Sequence, residues 1–370
     1  MVASLNLHLS PETQMSAIES PTKSLREAQQ PVELGQARPK KEFLGYIHSF
    51  RGLAILYIVA GHCVTLLSWP GAQLTERLLG CVLSGGSVFF VFIAGYLFQH
   101  LSHKFEYINY LGSKLKNVVC PYVILSVPAV FLWTAIAQRP DMWPGFYEHP
   151  PIIQAVVFYL TGRHITAYWF IPMICLFYLI APLLLYLDRR RWVYLFLPAF
   201  VAVSLLISRG WHPLRNMAHF FSAYLLGMFF SRYRKETLNF AARTWPVLLG
   251  LATTCVALDY YRVWPAINWN FLQKLLLCAF YLWLLARTDH IVGKWLAPFA
   301  TASFGIYFLH PYVMATMRKG FAFLGYGDSL PSNSLLLLLL LFCLVSGTCL
   351  VLVYLGRRLF GSHSRLFIGS

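Results

Sequence analysis

The run Ser49-Phe50-Arg51-Gly52-Leu53-Ala54-Ile55-Leu56-Tyr57-Ile58-Val59-Ala60-Gly61-His62 decides how this chain is read. It is apolar along most of its length, yet it carries an arginine and, eleven positions later, a histidine. Eleven residues make about three turns of α-helix at about 3.6 residues per turn. Both side chains therefore leave nearly the same face, about 16 Å apart along the axis. An ionisable side chain at bilayer depth is costly unless something compensates it, so both residues are candidates for function.

The rest of the chain shares that apolar character. Of 370 residues, 58% are hydrophobic and 12% charged, and mean hydropathy is +0.58. A soluble domain carries about 25% charged residues. This composition excludes a globule with one hydrophobic core and predicts an all-α, polytopic membrane protein. Apolar runs of about 17–25 residues suggest about ten spans. They lie near 50–69, 78–100, 117–138, 165–187, 192–208, 217–233, 244–262, 270–287, 298–318 and 333–356. No internal repeat is visible, which speaks against a carrier built from inverted halves.

The net charge of +16 is distributed by loop. One alternating set holds Arg38, Lys40, Lys41 and Arg51, then Lys104, Lys114 and Lys116, then Arg189, Arg190 and Arg191. It continues with Arg232, Arg234, Lys235 and Arg243, with Arg287 and Lys294, and with Arg357, Arg358 and Arg365. The opposite set is sparser, with Arg77, Arg139, Arg163, Arg209, Arg215, Arg262, Arg318 and Lys319. The positive-inside bias places the first set and both termini in the cytoplasm, with the protein in the plasma (inner) membrane. Basic residues arranged this way report topology and not a nucleic-acid groove, so no nucleic-acid partner is expected.

Residues 1–42 are polar and lack an apolar signal-peptide core, and they read as a disordered cytoplasmic tail. A membrane-embedded domain at 43–358 follows, then a cytoplasmic tail at 359–370. The eight cysteines lie in or beside apolar runs without a Cys-x-x-Cys pair, and read as packing residues with no metal and no disulfides. The longest outer loop, about 139–164, contains an apolar stretch from Ile152 to Leu160. That stretch reads either as a re-entrant segment over a substrate cavity or as an ordinary interfacial loop. Gly85, Gly86 and Ser87 allow close approach of a substrate or, more simply, of another helix. His212, Arg215 and His219 sit where they would meet a glycan or solvent.

His310 belongs to the ninth span. Both His62 and His310 lie about 18–20 Å along helices that enter from the cytoplasm, and so reach similar depths. No Asp or Glu falls inside a span, which counts against a proton-coupled carrier. A histidine with no carboxylate beside it stays neutral in such a site, as a general base must. Arg51, at the cytoplasmic mouth, suits a phosphate. Its separation from His62 is comparable to an extended pantetheine arm, which would bring a thioester to His62 with nucleotide phosphates at Arg51.

These residues resemble the integral-membrane acyltransferases of the acyltransferase-three family. The hallmark is a basic residue, ten intervening residues and a histidine, here Arg51 and His62. Supporting segments are Phe89-Phe90-Val91-Phe92-Ile93-Ala94-Gly95-Tyr96, Tyr168-Trp169-Phe170-Ile171-Pro172 and Phe304-Gly305-Ile306-Tyr307-Phe308-Leu309-His310, the last being similar to a late Tyr-x-x-His element. Two positions depart from the pattern. His48 stands where an aspartate is usual, and Asn117 replaces the second arginine of an Arg-x-x-Arg element whose first position is Lys114.

The resemblance implies an O-acyltransferase that moves an acyl group, acetyl by analogy, from acyl-CoA (acetyl-CoA) to a hydroxyl of a cell-surface polysaccharide or lipid-linked glycan. His62 would serve as general base or as transient acyl carrier. Arg51, Lys114 and Lys116 would hold the phosphates, and His310 would orient His62 or polarise the thioester carbonyl. The bilayer, the glycan acceptor and envelope-biosynthesis proteins are the expected partners. A polysaccharide or lipid-linked glycan exporter and a noncatalytic subunit of a synthase complex are the alternatives.

Overall fold

Inside a bilayer every backbone N–H and C=O must be paired within the segment, which an apolar chain achieves by coiling into helices. The structure, a computed structural model, describes residues 44–369; the expected tail at 1–42 lies outside the described residues. The described residues are 81% helical, with no strand among them. Its helices are α1 (Gly45–Cys63), α2 (Gln73–Leu83), α3 (Ser87–His100), α4 (Tyr107–Lys114), α5 (Cys120–Phe131) and α6 (Pro151–Thr161). Then come α7 (Phe170–Leu179), α8 (Ala181–Arg190), α9 (Leu197–Leu206), α10 (Pro213–Arg232) and α11 (Arg234–Tyr260). The chain closes with α12 (Trp269–Thr301), α13 (Ser303–Phe323), α14 (Leu335–Phe360) and the short α15 (Ser364–Ile368).

The expected count of ten spans is corrected. Six helical stretches are long and apolar enough to cross a membrane: Gly45–Leu66, Gln73–His100, Tyr107–Ile136, Arg234–Tyr260, Trp269–Thr301 and Leu335–Ile368. A seventh is reached if α7 and α8, bent by 59°, form one broken span. Pro182 explains that bend, because its ring nitrogen cannot donate back along the helix. The expected span at 192–208 is only a short apolar helix, Trp192–Leu206. Two more, α10 and α13, have full-length helices but carry too much polarity, in Arg215, Asn216, His219 and Arg232 and in His310, Arg318 and Lys319.

Two features fix how these helices meet. A Cβ at Gly95 would strike the Tyr224 carbonyl oxygen, and one at Gly227 would strike the Phe92 carbonyl oxygen, so α3 and α10 pack backbone to backbone. Helix α1 lies along α12, and aromatic rings fill the space between them and α3. Phe50 sits 5.6 Å from Phe89 and 6.0 Å from Tyr281. At one end, buried Asp188 takes Arg232 at 2.6 Å and the Tyr194 hydroxyl at 2.5 Å, tying α8 to α10. The segment between α6 and α7 passes through the interior, with His164 and Tyr168 buried.

Candidate active site

Helix α1 is unbroken from Gly45 to Cys63, so Arg51 and His62 keep the separation that an ideal helix gives them. Helix α13 runs beside it in the same sense. At one end Arg51 Nη2 donates to Ser303 Oγ at 2.6 Å, and its guanidinium lies 5.9 Å from the centre of the Phe304 ring. At the other end the rings of His62 and His310 are 5.3 Å apart.

His310 has an asymmetric environment. Its Nδ1 donates to the Ile306 carbonyl at 3.0 Å, which leaves Nε2 as the acceptor of the neutral ring. That Nε2 is buried without a hydrogen-bond partner. A polar atom so placed costs stability, and a ligand or a neighbouring N–H would relieve it.

Two cavities meet at His62. The first, about 520 Å³, is lined by Ser84, Gly85, Gly86, Phe304 and Tyr307 and by Trp169, Arg209 and Trp211. The second, about 500 Å³, is lined by His310, His164, Trp133, Tyr312, Arg139 and Arg318. Thr166 and Ala167 line both, so the inner loop before α7 forms the partition beside His62. Each cavity carries an arginine over a tryptophan ring. Arg209 lies 5.3 Å from the centre of Trp169, and Arg139 lies 6.0 Å from that of Trp133. The charges of Arg209 and Arg318 both act on His62. Gly85 and Gly86 line the first cavity, and a Cβ on either would meet Asn270 or Ile58.

Of the phosphate candidates, Arg51 and Lys114 lie within electrostatic range of one another. Lys114 Nζ sits over Tyr110 at 5.1 Å and Tyr178 at 5.2 Å. Lys116 lies apart from them, on a third cavity of about 620 Å³ with Asn117, Arg365 and short residues. Asn117 turns its amide onto its own helix, donating to the Ser113 carbonyl at 2.8 Å. His219 is not a surface residue: it is 2% exposed, and Nδ1 donates to the Ile207 carbonyl at 2.6 Å. Arg215 bonds the Ser208 carbonyl and hydroxyl, bracing the loop before α10.

Of the residues around the site, His164 and Lys274 escaped the sequence reading, whereas Tyr168 and Tyr307 stood in the family-like segments. Tyr307 donates to the Ala167 carbonyl at 2.5 Å, and Tyr168 to the Phe308 carbonyl at 2.9 Å, which locks the partition onto α13. His164 is satisfied on both nitrogens, with Nδ1 to the Phe158 carbonyl at 3.0 Å and Nε2 accepting from Ser126 at 2.7 Å. Burial brings its imidazole down to about 4, so it stays neutral and structural. Lys274 is fully buried; its Nζ donates to the Val82 carbonyl at 3.0 Å and to Gln273, over the Tyr57 ring. A lysine inside an apolar run is itself a signal that would have found it.

Comparison with known families finds one match. The acyltransferase-three family, described as an acyltransferase domain, covers residues 44–356. No curated protein and no solved structure matches the chain.

Proposed function

The chain belongs to the acyltransferase-three family, and from that premise we propose that it transfers an acyl group, acetyl by preference, from cytoplasmic acyl-CoA to a hydroxyl of a cell-surface polysaccharide or lipid-linked glycan. That it is a membrane acyltransferase follows from the family and the apolar helices. One observation carries the finer reading: the His62–His310 pair stands at the junction of two cavities, with Arg51 at the far end of the same helix.

Phe304 supports a path between those ends, because it lies under the Arg51 guanidinium and also lines the first cavity. Donor phosphates rest at Arg51 and Lys114, and the pantetheine arm follows α1 to His62. The tryptophan and arginine pairs offer apolar faces and donors to a sugar ring. A ring nitrogen of His62 takes the acceptor hydroxyl proton as the oxygen attacks the thioester carbonyl. The C–S bond then breaks, and the thiolate of coenzyme A recovers that proton from the imidazolium. Nε2 of neutral His310, an acceptor, suits it to receive an N–H from His62 and so to hold that ring's tautomer; polarising a carbonyl would require a donor there. The protein would lie in the plasma (inner) membrane with both termini cytoplasmic, as the lysine and arginine asymmetry favours.

The deciding experiment is acyl transfer from radiolabelled acetyl-CoA to envelope glycan in membranes. His62→Ala is expected to lower the rate about 10²–10⁴-fold, the range for loss of a general base. Transfer at the wild-type rate would refute the mechanism.

A further inference from the structure

The family match ends at residue 356, but the chain continues into a structured segment. Gly361 adopts φ 51° and ψ −125°, a conformation that side chains with a Cβ avoid, and it redirects the chain after α14. A 3-10 turn at Gly361–His363 and α15 then pack against α14 and α5. Ser364 and Ile368 are buried, and the rings of Phe360 and Phe367 stack at 4.7 Å. Residues 359–369 therefore pack onto the helices of the membrane domain.

That position builds a wall. Ser362, Ser364 and Arg365 face Ser113, Lys116 and Asn117 across the cavity of about 620 Å³. Arg365 lies within electrostatic range of Arg51 and of Arg357, and Arg51 within range of Lys114. Five cationic side chains thus converge on one end of the molecule. Among the described residues, the ion pairs lie elsewhere, at Asp141 and Asp188. Asp289, which accepts from Ser49 on α1, is the acid at this end, and the five converging cations outnumber it, so the potential is positive and favours a ligand carrying several negative charges. Exposed Arg365 and Lys116 also reach solvent, so a ligand can enter from that side.

We propose that Arg365, with Lys116 and Ser362, forms a second phosphate subsite that takes the ribose 3′-phosphate of the coenzyme A donor, while Arg51 and Lys114 take its diphosphate. The assignment rests on the donor reading given above. It explains why Lys116 faces a cavity separate from Arg51 and Lys114: coenzyme A carries its phosphates at two places, on either side of the ribose. The subsite recognises the end of the donor that never reacts, so it sets affinity and selects coenzyme A over thioesters lacking the nucleotide.

The test compares binding of coenzyme A and of 3′-dephospho-coenzyme A to the purified full-length chain in detergent. The wild type is expected to prefer coenzyme A about fivefold, the upper range for a single exposed ion pair. Arg365→Ala should abolish that preference while leaving affinity for the dephospho form unchanged. Lys116→Ala, which removes an exposed side chain on the facing wall, should repeat the selective loss. Variants that weaken both ligands equally, or neither, overturn the subsite. A wild type that binds both forms without preference overturns the subsite alone. A wild type that binds neither overturns the donor reading and the subsite with it.

Discussion

One nitrogen separates His310 from His164, a buried imidazole that lines the same cavity. His164 has hydrogen-bond partners on both ring nitrogens, whereas Nε2 of His310 is sealed in without one. His310→Ala is therefore expected to cut kcat about 10²-fold or more with little change in donor KM, since the lost contact forms at the reacting centre. A merely structural residue would lower the unfolding temperature and leave kcat per folded molecule intact. Lys274 gives the opposite expectation. It holds the end of α2, where a cation also opposes the helix dipole. Lys274→Ala should cost about 2–4 kcal/mol through lost volume and unpaired oxygens, and Lys274→Met, which keeps the stem, about 1–2 kcal/mol. Thermal unfolding in detergent reads both. At this scale the sequence placed Arg51 and His62 on one helix face because helical spacing is local and periodic, and matched depth brought His310 level with His62. It could not show the bonds from Tyr307 to Ala167 or from His164 to Ser126, which join positions 140 and 38 residues apart.

Helices and loops carry the next constraints. Where α3 and α10 touch backbone to backbone, Gly227→Val has no space for its branched side chain. Separating the two helices should cost about 1–3 kcal/mol or more, visible as a lower unfolding temperature. The loop after α5 is held by Asp141, which pairs with Arg139 at 2.5 Å and Arg163 at 2.9 Å. Burial pushes its carboxyl up, but the hydrogen bonds and charges of the two arginines outweigh that and hold it below the usual carboxylate range. A lowered folded-state pKa stabilises above the unfolded value of about 3.9, and the contribution is lost as pH falls below it. Proteolysis of the 137–150 segment should accelerate on that acid limb, and Asp141→Asn should flatten the dependence. Helices were readable from apolar runs. Breaks were less so: Pro182 announces the bend after α7, whereas the polarity of α10 and α13 is spread over residues that each look tolerable in a span.

For the whole molecule, the charge asymmetry predicts sidedness, with α9, α10 and α13 crossing alongside the seven apolar segments. Single cysteines placed at Arg262 and at Arg189, in a background lacking exposed Cys343, should react oppositely with a membrane-impermeant maleimide added to intact cells. Arg262→Cys should label and Arg189→Cys should label only after permeabilisation. The all-α class was legible from composition, because no soluble core accommodates so many apolar residues. The span count was not, since ten apolar runs resolve into six or seven membrane-length helices once bends and polar faces form.

The partition at Thr166 and Ala167 has a consequence for kinetic order. Two chambers that share only His62, Thr166 and Ala167 can be filled at the same time. On the proposed function, donor and acceptor would then coexist on the protein before any bond changes, and initial rates measured against both should give intersecting double-reciprocal lines. A histidine that first took the acyl group and released free coenzyme A would give parallel ones. The wall between the cavities thus favours a ternary complex, with the first product leaving only after both substrates have arrived.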